Sequence, residues 1–246
     1  MRYGWRARIG HIAPAILDTS AEEFRKLLPE GVLHVGLTIS EPIQTLGAEQ
    51  AAAAFERMVD AGRRLAREKV DVIVCGGAPV ALSRGPAGDA ELANLLRRET
   101  GLPVVTANGI VVDALRFFKA HAVVAVSPFL ESRNDEIRNF LEASGFKVLA
   151  AQGLGLVKNI DFATQSTDAA YALARQVALA NPQADAIYIA CPRWPTVDII
   201  AALESDTGKP VVAAAAAMVW GALKALQIRG GQPGFGRLMD SLRSQV

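Results

Sequence analysis

Along the chain, short runs of β-branched and apolar residues alternate with longer stretches in which apolar positions recur at helical spacing. The short runs predict strands over residues 8–13, 32–39, 70–76, 103–106, 122–127, 147–151, 185–190 and 210–214, with helices filling most of the gaps. The clearest helix spans 48–68, where the alanines, Phe55, Met58, Val59, Gly62 and Leu65 form a narrow apolar face opposite Glu56, Arg63, Arg64 and Arg67. Such alternation of strand and helix predicts the α/β class, with parallel sheets and crossover helices.

The pattern also repeats itself. ARIGHIAP, ending at Pro14, matches HAVVAVSP, ending at Pro128; VDVIVCG from Val70 matches ADAIYIAC from Ala184; both pairs stand 114 residues apart. TGLPVV from Thr100 matches TGKPVV from Thr207 at the shorter offset of 107, because SRGPAGDAEL lengthens the first connection. Two matches at one offset predict two similar lobes related by a pseudo-twofold, each a four-stranded parallel sheet flanked by helices. The first lobe is expected over 1–115, completed by 214–246, and the second over 116–213. Ligands of open parallel sheets bind beyond the strand C-termini, which puts the expected active site in the cleft between the lobes.

Aligning the halves pairs Asp71 with Asp185, so the counterpart of Cys191 is Gly77 and not Cys75. Cys75 lies inside an apolar run and reads as a core thiol. Side chains two apart on a strand share a face, so Cys75 would point toward the cleft but lie about 6 to 7 Å too deep. Cys191 ends its strand and precedes PRWPTVDIIAALES, whose prolines and helical run predict a helix N-terminus that would stabilise a thiolate. Cys191 is therefore the candidate catalytic residue.

Composition narrows the partners. A chain of 246 residues with 51% apolar content can bury a large core, and 26 basic against 25 acidic residues leave no charge excess to drive binding to nucleic acid or anionic lipid. No leader-like apolar segment and no run of 18 apolar residues is present, so a cytoplasmic protein with reduced thiols is expected. His11, His34 and His121 are scattered and no Cys-x-x-Cys spacing exists, so no metal site is expected. The first strand leads into GHIAPAILD and not a Gly-x-Gly-x-x-Gly turn, which argues against a dinucleotide. RGGQPGFGR reads as a loop packing the C-terminus back, and the charged runs NLLRRET and LESRNDEIRN as solvated helix faces.

Taken together, RIGHIAP, TGLPVVTANGIVVDALRFF, VVAVSPFLESRNDEIRNFLEASG, DAIYIACPRWPTVDIIAALESDTGKPVV and RGGQPGFGRLMDS resemble the aspartate/glutamate racemase superfamily, in its arylmalonate decarboxylase and maleate cis-trans isomerase branch. Racemases and isomerases of that group carry one cysteine per lobe, whereas the decarboxylase has glycine in place of the first. Gly77 with Cys191 is similar to the decarboxylase arrangement. The resemblance implies a cofactor-free reaction: an aryl- or alkenyl-substituted malonate loses CO2, and the Cys191 thiol protonates one face of the resulting enediolate. It implies a small carboxylate or dicarboxylate substrate lined by Pro14, Gly77, Ala78, Pro79, Phe129, Pro192 and Arg193. Ala78 and Pro79 replace a Thr-Ser pair of the decarboxylase, and Phe129 a carboxylate-binding tyrosine, so the retained carboxylate must use other groups. Candidates are Asn108, Ser127, Asn159 and the amides around Pro192 and Arg193. Two alternatives stay open: isomerisation or racemisation with Cys75 as the second thiol, and a non-catalytic small-carboxylate binder.

Overall fold

The computed structural model of the chain describes residues 3–39, 48–77, 80 and 85–243. The first half runs β1 (Ala7–Ala13), α1 (Ser20–Leu27), β2 (Val32–Thr38), α2 (Ala48–Arg67), β3 (Val72–Cys75), α3 (Gly85–Thr100), β4 (Val104–Thr106) and α4 (Ala107–Phe117). The second half runs β5 (Ala122–Phe129), α5 (Glu131–Ala143), β6 (Lys147–Leu156), α6 (Asn159–Ala163), α7 (Thr167–Ala180), β7 (Ala186–Ile189), a 3-10 turn (Val197–Ile199), α8 (Ile200–Thr207), β8 (Val211–Ala213), α9 (Ala214–Ala225) and α10 (Gly236–Asp240).

The strands form two four-stranded sheets in which every pairing is parallel, ordered β2-β1-β3-β4 and β6-β5-β7-β8. The orders are the same under the expected duplication. Small hydrogen bonds repeat with it: Arg8 N donates to Asp71 Oδ2 at 2.7 Å and Ala122 N to Asp185 Oδ2 at 2.8 Å. Thr100 and Thr207 donate alike from Oγ1 to the carbonyls of Leu96 and Leu203, both at 2.6 Å. An Asp that anchors the neighbouring strand and a Thr that closes the preceding helix are kept because each answers backbone groups left open at those ends.

Each strand begins within two residues of its expected position, and β6 extends five residues further than expected. Irregular register between β5 and β6 at Val123/Val124 and Ser127/Phe129 accompanies that extension through Gly153 and Gly155. The predicted face of α2 is the buried one: Phe55, Met58, Val59 and Leu65 pack with Ile73, Leu92 and Leu96 on one side of the first sheet. Gly62 lets α3 approach, since a Cβ there would fall 2.3 Å from Leu96 Cδ2. A larger core contains α4, α9 and both faces of the second sheet. α9 is apolar all round and buried from Ala214 to Leu223, with Gly221 against Ile110 of α4 and Val105 of β4. Among the described residues no helix is long and apolar enough to cross a membrane.

The glycine-rich RGGQPGFGR segment does bring the C-terminus back, with Gly230 N donating to Leu242 O at 3.2 Å and Arg237 N to Glu204 Oε2 at 2.9 Å. The short helix α10 begins at its last two residues, which the sequence pattern did not signal because five residues are too few to show a period.

Candidate active site

Two turns at the C-terminal ends of β3 and β7 carry the pseudo-symmetry into the site. Gly76 N donates to Ile12 O at 2.9 Å and Ala190 N to Val126 O at 2.8 Å, after which Val80 N closes on Gly77 O and Trp194 N on Cys191 O. Gly77 has φ +78° and Cys191 has φ +76°. The left-handed region suits glycine and costs an ordinary side chain about 1–2 kcal/mol. Cys191 therefore occupies a backbone site for which its partner in the first lobe uses glycine. Strain of that kind persists only where surrounding contacts over-determine it.

Those contacts come from the first lobe. The loop between β1 and α1 touches both turns: a Cβ at Gly76 would lie 3.2 Å from Pro14 Cδ, and Leu17 O accepts from Arg193 Nε (3.1 Å) and Nη2 (2.9 Å). Thr19 Oγ1 donates to Arg193 O at 2.5 Å. Glu23 Oε1, on α1, accepts from the amides of Thr196 (2.5 Å) and Val197 (2.9 Å), and Lys26 pairs with Asp198.

Helical hydrogen bonding begins only at Val197, so Cys191 does not stand at a helix N-terminus as the sequence pattern suggested. Pro192 and Pro195 supply no N–H and hold the intervening segment as an irregular turn. The thiol is only 9% exposed, and burial pushes its pKa up to about 12 despite backbone N–H groups of Arg193 and Trp194 directed at it and the nearby Arg193 charge. At neutral pH the group is a thiol that can give a proton, not a standing thiolate. Cys75 is a separate case: it packs with Ile12, Met58, Ile73, Leu92 and Leu96, and burial followed by the nearby Asp89 drives its pKa upward. Cys75 thus belongs to the core under α2 and α3. Both cysteines are free.

Of the other expected residues, Pro14 and Arg193 are joined to the two turns as described, and Pro192 is half-buried beside Cys191. Phe129 ends β5 and packs edge-on against Phe162, ring centres 5.0 Å apart. Ala78, Pro79 and the side chain of Asn159 lie outside the described residues. Ser127 is fully buried, donating from Oγ to Asn134 Oδ1 (2.6 Å) and accepting from Phe129 N (3.0 Å), so its hydroxyl serves the β5 terminus. Asn108 Nδ2 donates to Asp89 Oδ1 at 3.2 Å within a buried cluster that also holds Thr106, whose Oγ1 donates to Asp89 Oδ2.

Several features escaped the sequence pattern. His11 and His34 meet across β1 and β2, Nδ1 to Nε2 at 3.1 Å, with Asp18 Oδ2 3.7 Å from His11 Nδ1. Burial takes both imidazoles down to about 4, so the pair is neutral. Adjacent strands could have signalled the pairing, but not the loop that returns Asp18. Exposed apolar residues also gather after strand C-termini: Ile16 and Leu17 follow β1, Leu130 follows β5, and Val157 and Ile160 follow β6. Among the described residues no group of three or more His, Cys, Asp or Glu side chains could hold a metal ion.

Fold and site together define a duplicated α/β protein with one thiol-bearing turn and one glycine turn. The arylmalonate decarboxylase family model matches residues 23–239, and the chain belongs to that family. Arylmalonate decarboxylase of Bordetella bronchiseptica is 29% identical over 192 residues, covering 76% of this chain and 79% of that protein. A maleate isomerase of Pseudomonas putida is 27% identical over 253 residues, covering 95% and 97%. Among solved structures, a liganded arylmalonate decarboxylase variant with glycine exchanged for cysteine and cysteine for serine superposes with a TM-score of 0.86 at 26% identity, covering 96% of this chain and 99% of that one. Relatives of this chain thus include both decarboxylases and isomerases.

Proposed function

We propose that this chain is a cofactor-independent decarboxylase of malonates bearing an aryl or alkenyl α-substituent, with Cys191 as the proton donor. The observation that carries the reading is the unequal pair of turns, a thiol at Cys191 and no side chain at Gly77, at nearly the same positive φ. The glycine and cysteine exchanged in the decarboxylase variant stand 114 positions apart, the spacing of Gly77 and Cys191.

In the proposed reaction the C–C bond to one carboxylate breaks, CO2 leaves, and the bonding pair delocalises into the retained carboxylate as an enediolate. The S–H bond of Cys191 then gives its proton to the α-carbon. The thiolate that remains takes a proton from water. A thiol held near pKa 12 suits this role, because it is protonated at rest and still far more acidic than the carbanion. Pro14, Gly77, Ala78, Pro79, Phe129, Pro192 and Arg193 would line the substrate. The departing carboxylate would sit against apolar groups, which favours its loss, and the exposed apolar residues that follow β1, β5 and β6 would suit an apolar α-substituent if they border the site.

A two-thiol isomerase is the second reading, prompted by the maleate isomerase relatives. It would need Cys75 at the reacting carbon, and Cys75 packs beneath α2 and α3 instead. Proton NMR of a malonate panel and maleate separates the two: Cys191→Ala should abolish turnover of a phenylmalonate, while Cys75→Ala should retain most of it. Conversion of maleate that Cys75→Ala removes would defeat the one-thiol reading.

A further inference from the structure

The sequence of contacts from Leu17 to Lys26 runs alongside residues 193 to 198, so α1 of the first lobe forms a strap under the strained turn of the second. At its centre Glu23 is 4% exposed and gives Oε1 to two consecutive amides, Thr196 and Val197, while Oε2 is buried with no hydrogen-bond partner. Burying a half-satisfied carboxylate is costly, and a purely apolar α1 face would pack the lobes together without it. What Glu23 adds is a fixed geometry for the segment that follows Cys191. Arg193 N and Trp194 N, directed at the Cys191 sulfur, lie on the same segment.

We propose that Glu23 is a positioning residue: by accepting the Thr196 and Val197 amides across the lobe boundary, it holds Cys191 so that protonation occurs on one face of the substrate carbon. The first lobe thereby contributes to the stereochemistry although it bears no thiol at Gly77. This rests on Cys191 being the proton donor. The acceptor's position is what counts, because either a carboxylate or an amide oxygen can receive two N–H groups.

The test contrasts Glu23→Gln, which keeps the acceptor in place and removes the charge, with Glu23→Asp, which keeps the charge and withdraws it by one methylene. Two readouts are needed: the enantiomeric excess of the acid formed from α-methyl-α-phenylmalonate, and the rate of Cys191 alkylation by iodoacetamide, followed by mass spectrometry. Glu23→Asp should lower the enantiomeric excess, because a loosened turn lets water compete for the carbanion. It should also speed alkylation about fivefold, since loss of one of the two hydrogen bonds admits water to the sulfur. Glu23→Gln should match the wild type in both. Wild-type behaviour of Glu23→Asp, or a Glu23→Gln variant as disturbed as Glu23→Asp, would overturn the proposal. If the wild type decarboxylates no malonate, the functional reading fails while alkylation still decides the role of Glu23.

Discussion

Replacing Glu23 by Gln should change how stability depends on pH, by an amount the structure sets. Burial is the largest influence on this carboxyl and lifts it from 4.5 to about 7; the Val197 and Thr196 amides and Lys26 oppose the rise, and Asp198 adds to it. An acid whose folded-state pKa is raised keeps its proton in the fold where the unfolded chain has lost it. Stability from this group is therefore full below about pH 4.5, falls as pH rises to about 7, and stays low above. A shift of about two and a half pH units corresponds to about 3 kcal/mol. Glutamine accepts the same two amides and has no charge to bury, so its stability lacks this slope. For a chain of this size each kcal/mol moves the melting temperature by about 2–4 °C. Thermal melts followed by circular dichroism at pH 5 and pH 8 should show Glu23→Gln gaining roughly 6–12 °C on the wild type between the two pH values. Any constant offset from the glutamine NH2 cancels in that comparison. A melting gap that is the same at both pH values would refute the argument, since Glu23 would then not titrate differently on folding.

Gly77→Cys should add α-proton exchange of the product acid in heavy water, because a second thiol would then face the carbon opposite Cys191. Its melting temperature should fall by roughly 2–8 °C, the left-handed backbone costing about 1–2 kcal/mol, while the new Cβ meets the flexible end of Met58 at 3.3 Å and Val80 Cγ2 at 3.9 Å. An unchanged exchange rate in a folded variant would show that the two turns do not address one carbon. Iodoacetamide should label native Cys191 slowly near neutrality, about tenfold faster for each pH unit until near pH 12, with Cys75 unlabelled; a pH-independent rate between pH 7 and 9 would show that burial does not govern this thiol.

Much of this was open to a reader of the chain. The short apolar runs located all eight strands, and the 114-residue offset alone separates Gly77 from Cys75. Such features are local or repeated, and each half of a duplicated chain serves as a template for the other. Other expectations depended on contacts between distant residues. Ser127 turns inward to Asn134, and the segment after Cys191 is a strapped turn where a helix N-terminus was expected. The Cys191 thiol goes up in pKa because the low-dielectric interior outweighs its two amide donors. Glu23 reads in the chain as one more acid of an amphipathic helix, and His11 and His34 as unrelated histidines. The packing of one lobe against the other brought Glu23 to its partners, and the loop after β1 returned Asp18 to the histidine pair, because burial and hydrogen bonding are properties of the assembled neighbourhood that no spacing along the chain encodes.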